Sequence, residues 1–109
     1  MAIREYRYRV TLEPVASPAP DVPLRAPLSF DACNHDDVVG IAERARARSG
    51  FPPDEAAALA VGLKLFTEVM LKHREDPLFA ALRGPMREFV GRLKARHRGE
   101  EQGSTTAPS

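Results

Sequence analysis

Two stretches of strict alternation, followed by three with the three-to-four-residue repeat of helices, set out the elements of this chain in order. Over residues 4–13, Tyr6, Tyr8, Val10 and Leu12 fall on one side and Glu5, Arg7, Arg9, Thr11 and Glu13 on the other. That pattern predicts a half-buried strand. Residues 24–33 alternate again, with Leu24, Ala26, Leu28, Phe30 and Ala32 opposite Arg25, Pro27, Ser29, Asp31 and Cys33. Pro27 has no N–H to donate, which gives this second strand a free edge. Between the two, the proline-rich residues 14–23 can neither continue a central strand nor start a helix, so they read as an exposed, mobile loop. The strands pair as an antiparallel ribbon. A two-stranded ribbon is marginal alone and needs helices, or a partner's strands, on its apolar face.

The helical repeat begins after Cys33. Residues 34–50 read as a first helix, with Asn34 at the N-cap, an apolar stripe of Val38, Ile41, Ala42 and Ala45, and Arg44, Arg46 and Arg48 approaching Gly50. Residues 54–72 form the longest periodic segment and read as the central helix. Leu59, Leu63, Phe66 and Met70 make one apolar row and Val61, Leu65 and Val69 a second beside it. Ala56 with Ala60, and Ala58 with Gly62, are two pairs of small residues one turn apart, at which backbones can approach closely. Pro53 suits the first helical position, and Asp54 and Glu55 sit where the helix dipole favours negative charge. Pro77 stops the pattern, and residues 77–83 predict a short helical or 3₁₀ turn packing Leu78, Phe79 and Leu82 on the core. Pro85 opens a third helix with Met86, Phe89, Val90 and Leu93 on its apolar face. The expected fold is α+β: an N-terminal two-stranded antiparallel ribbon packed on three α-helices, the second central. Residues 1–98 form one domain, and the polar residues 99–109 carry too little apolar surface to order.

Composition adds limits more than directions. At 109 residues the chain can bury one modest core. A net charge of +1 gives no global field toward nucleic acid or membrane. One cysteine excludes an internal disulfide framework, the charged N-terminus lacks the apolar core of a signal peptide, and Lys64 and Glu68 interrupt the best apolar run. A cytoplasmic protein is the expectation, with no membrane partner.

A set of stretches resembles a known family. YRYRVTLEP at 6–14, LSF at 28–30, NHDD at 34–37, DEAAALAVGLKLFTEVMLKHR at 54–74 and DPLF at 76–79 are together similar to a family of small bacterial proteins termed a domain of unknown function, family 3861. The resemblance spans about residues 4 to 95 and implies the same ribbon-then-helices fold. It brings no catalytic or ligand residues with it.

Candidate chemistry is sparse. His35, Asp36 and Asp37 are metal-ligand types, but three consecutive helical residues diverge, so the cluster reads as Asn34 capping a helix whose positive end Asp36 and Asp37 stabilise. Cys33 precedes that helix, whose N-terminus can activate a thiol, yet nothing supplies both a base and an orienting group. Glycine-rich phosphate loops, H-E-x-x-H and G-x-S-x-G are all absent. No catalytic, cofactor or metal residue is therefore assigned. The leading expectation is a non-enzymatic, self-associating interaction module, a homodimer favoured, in which the central helix or the ribbon edge meets a second copy. Two alternatives stay open. One, which ranks below a merely solvated basic face, is a nucleic-acid-binding protein using Arg7, Arg9 and the basic last helix; the other is a small enzyme or ligand-binding protein with a pocket near His35, Tyr6 and Tyr8. If Phe66 is buried, its truncation to alanine should cost about 3–5 kcal/mol.

Overall fold

The computed structural model describes residues 5–98. The elements run β1 (Tyr6–Leu12), β2 (Leu28–Asn34), α1 (Val38–Arg48), α2 (Pro53–Lys72), a 3₁₀ turn (Pro77–Leu82) and α3 (Arg83–His97). The fold class is α+β, a two-stranded antiparallel sheet followed by three helices. The chain divides after Asp36 into two compact units. The predicted tail at 99–109 lies outside the described residues.

In the ribbon unit the register follows the alternation. Tyr8 pairs with Ala32, Val10 with Phe30 and Leu12 with Leu28, while Arg7 faces Cys33, Arg9 faces Asp31 and Thr11 faces Ser29. Arg9 Nε donates to Asp31 Oδ1 at 2.7 Å, and the Thr11 and Ser29 hydroxyls share a 2.8 Å hydrogen bond. Cross-strand pairs of this kind are the unit of sheet stability, although exposed ion pairs contribute little. β2 begins at Leu28, four residues later than the alternation predicts. Pro23 precedes the lost segment and Pro27 ends it, and neither can donate to a ladder. The connection contains a local turn in which Val22 N donates to Ala19 O and Ser17 Oγ donates to the same carbonyl.

In the helical unit, α1 starts at Val38 and its N-cap is Asp37, whose carboxylate accepts from Gly40 N at 3.1 Å. This corrects the expectation that Asn34 caps the helix. Asn34 instead closes β2 opposite Tyr6, and its side chain accepts from Asp36 N at 3.0 Å. Ser49 ends α1 by donating its N–H to Ala45 O, and Gly50 follows at φ +88°. That is the left-handed residue with which helices commonly stop. An added Cβ at Gly50 meets nothing within 4 Å, so only the backbone resists substitution. Gly50→Ala is expected to lower stability by about 1 kcal/mol in urea unfolding, and an unchanged midpoint would contradict it.

α2 starts as predicted, with Pro53 at its first position and Asp54 and Glu55 in its first turn. The core is not where its large side chains suggest. Ala45 of α1 and Ala56 and Ala60 of α2 are 1%, 0% and 2% exposed, with Ile41 and Ala42 packed against them. Phe66, expected in the core, remains 38% exposed. Small residues win these positions because they let two helix backbones close up, and a large side chain at the seam would hold them apart.

Asp76 caps the 3₁₀ turn by accepting from Leu78 N at 2.9 Å. Of the three residues predicted to pack back, Phe79 is buried and meets Phe66 edge to face, with ring centroids 6.1 Å apart. Leu78 is 76% exposed and Leu82 39%. α3 begins at Arg83, two residues before Pro85, which the first helical turn tolerates because its N–H has no partner there. No residue of α3 is fully buried. No helix among the described residues is long and apolar enough to cross a membrane.

Candidate functional site

The residues that sequence reasoning singled out for chemistry are held by local structure. Asn34 forms the turn, Asp37 caps α1, and His35 Nε2 lies 3.7 Å from Glu5 Oε2 within the ribbon unit. Asn34, His35 and Asp37 thus serve three different tasks, and Asp36 contributes its backbone N–H to the Asn34 turn. Cys33 is half-buried within β2 across from Arg7, and the turn of residues 35–37 separates it from α1. The thiol therefore belongs to a strand of the ribbon unit, four residues before the cap of α1. Tyr6 and Tyr8 stack on each other with ring centroids 6.3 Å apart. An open depression of about 550 Å³ lies at the end of α2, lined by Leu71, Lys72, His73, Arg74, Glu75 and Asp76. Its Asp76 carboxylate already serves as a cap.

The two basic regions fare differently. Arg9 is neutralised by Asp31. At the other end of the chain, the C-termini of α1 and α3 meet, a juxtaposition across 47 and 49 residues that no local pattern signals. Arg48 Nη1 donates to His97 O at 3.2 Å, and Arg96 Nη1 donates to Ser49 O at 3.5 Å. The arginines thus satisfy carbonyls at negative helix ends. Arg96 also stacks over Phe51, 5.7 Å from the ring centroid. His97 sits inside this corner. Burial, then the positive charges of Arg44, Arg96 and Arg48, hold its pKa below the ordinary histidine value. Its Nε2 is buried and has no hydrogen-bond partner among the described residues.

A third feature is apolar. Opposite the alanine seam, α2 presents Glu55, Ala58, Gly62, Phe66, Val69 and His73 in one row, all exposed. At 100° per residue these six positions lie within about 80° of one another. Sequence reasoning noted Ala58 and Gly62 as a small pair but did not separate their row from the buried Ala56 and Ala60.

Residues 6–95 match a family described as a domain of unknown function with a solved structure, DUF3861. The chain is also similar to a protein of unknown function from Pectobacterium atrosepticum, known from a 2.20 Å crystal structure, at 36% identity and a TM-score of 0.70. The similarity covers 82% of this chain and 95% of that one. No curated protein matches the chain.

Proposed function

We propose for this chain, which belongs to the DUF3861 family, a non-enzymatic role as a self-associating interaction module in which the exposed row of α2 meets a second copy. The observation that carries this reading is an unfinished core. Among the described residues no leucine, isoleucine, methionine or tyrosine is fully buried, and of the larger apolar side chains only Val38 and Phe79 are. Leucine and isoleucine ordinarily lead the buried residues of a folded monomer.

The row on α2 is self-complementary. Its N-terminal half is small, Ala58 and Gly62, and its C-terminal half is large, Phe66 and Val69. An antiparallel pairing about a two-fold axis near Lys64 sets Gly62 of one protomer against Phe66 of its partner, and Val69 near Ala58. The same register brings Glu55 opposite His73, an acceptor facing a ring that carries an N–H donor. A two-fold interface requires this kind of self-match, and an unrelated partner does not. One helix pair sits at the small end of specific interfaces, so dissociation in the micromolar range is expected.

Gly62→Glu tests the reading without weakening the helix. Glycine is the poorer helix former by roughly 0.6–1 kcal/mol, and a side chain added at Gly62 meets nothing within 4 Å of its Cβ. Sedimentation equilibrium from about 5 to 500 µM is expected to show the native chain passing from monomer to dimer while Gly62→Glu stays monomeric. A monomer mass for the native chain at every concentration removes the proposal.

A further inference from the structure

We propose that the outer stripe formed by Arg83, Arg87 and Lys94 of α3 and by Arg98 at its C-cap is a docking site for the phosphate backbone of a nucleic-acid duplex. These residues stand at i, i+4, i+11 and i+15, within about 60° of one another around the helix, and all are exposed. Gly91 occupies the remaining position of the stripe, and open space surrounds the place of its missing Cβ. The stripe runs about 22 Å along the axis, the length of roughly six base pairs. The single carboxylate of α3, Glu88, projects to another side, next to Arg92. Among the described residues the side chains of Arg83, Arg87 and Lys94 have no carboxylate partner, unlike Arg9 on the ribbon.

The stripe ends at the corner where Arg44, Arg48 and Arg96 surround His97. Burial first, and then these positive charges, lower the basicity of that imidazole. Three of the four stripe cations are arginines, whose planar forks match phosphate oxygens. A lipid surface suits the face less well, because a membrane-lying helix buries a broad apolar face beside its cations. Met86, Val90 and Leu93 are already half-covered in this chain, which leaves Phe89 as the single exposed large apolar side chain of α3. The stripe is independent of the exposed row on α2, so either proposal can fail without the other.

The test is fluorescence anisotropy of a labelled 20-base-pair mixed-sequence duplex and a labelled single-stranded RNA, titrated with the full chain. Micromolar binding is expected for the duplex, and binding of the RNA alone would overturn the proposal. Duplex binding should weaken by about 40-fold between 50 and 200 mM salt, the slope for three neutralised phosphates. The triple variant Arg83→Gln, Arg87→Gln, Lys94→Gln should lose at least 10-fold in affinity and most of the salt slope, while circular dichroism confirms that it remains helical. Arg7→Gln should bind as the native chain does. Equal binding by the triple variant, loss of binding in Arg7→Gln, or retention on anionic phosphatidylserine vesicles with none on either nucleic acid would each overturn the proposal, as would no binding at all.

Discussion

Phe79→Ala is expected to lower stability by about 3–5 kcal/mol, the usual cost of deleting a buried aromatic ring. Phe79 is 8% exposed and is the only phenylalanine among the described residues to be buried. Its 3₁₀ turn, six residues long, is tied locally by the Asp76 cap, and hydrogen bonds of that poorer geometry do not hold a turn alone. The ring supplies the missing anchorage, meeting Phe66 of α2 at an interplanar angle of 72°. Such an edge-to-face pair contributes roughly 0.5–1.5 kcal/mol beyond the area it covers. Phe66→Ala loses that pair and only part of a ring's burial, so about 1–2 kcal/mol is expected at protein concentrations too low for association. Urea unfolding followed by circular dichroism measures both variants. A Phe79→Ala loss below 1 kcal/mol, or one smaller than that of Phe66→Ala in dilute protein, would show that the turn is held by something else. Raising the protein concentration adds a check on self-association, since a dimer formed through Phe66 gains stability by mass action only in the native chain.

That reversal between Phe66 and Phe79 marks the limit of what the sequence could disclose. Faces were legible wherever a period of two or of three to four residues repeated: every β1 residue from Arg7 to Leu12 has its partner on the side that alternation assigns. Ends were less legible. Asn34 and Asp37 are equally good caps, and the choice depends on Asn34 pairing with Tyr6 across the loop. Burial was least legible, because periodicity finds an apolar helix without saying which of its rows another helix takes. The sequence marks the row of Leu59, Leu63, Phe66 and Met70 as apolar, yet the residues of α2 that close against Ala45, Ala42 and Ile41 of α1 are the small Ala56 and Ala60. The candidate anion face was half visible. The cations of α3 are in the sequence, whereas their continuity with Arg44 and Arg48 depends on α1 and α3 meeting end to end.

The alanine seam yields the second large effect. Ala60→Leu is expected to cost about 3 kcal/mol, at the upper end for overpacking, because Ala60 touches a seam in which Ala45 and Ala56 are also closed to solvent. Leucine is nearly as good a helix former as alanine, so the loss cannot come from α2 itself. Relief requires α1 and α2 to separate, which would uncover Ile41 and Ala42 as well. Ala58→Leu makes the same chemical change two residues away on the exposed row, and should alter the stability of dilute protein by no more than about 0.5 kcal/mol. In a domain of this size, 3 kcal/mol lowers the melting temperature by roughly 12–24 °C, a difference thermal unfolding resolves easily. Melting of Ala60→Leu within a few degrees of Ala58→Leu would mean that the two helices do not meet through their alanines. The exposed row would then lose its argument too, because Ala58, Gly62, Phe66 and Val69 are left for a second copy only if Ala56 and Ala60 are the residues that α1 consumes.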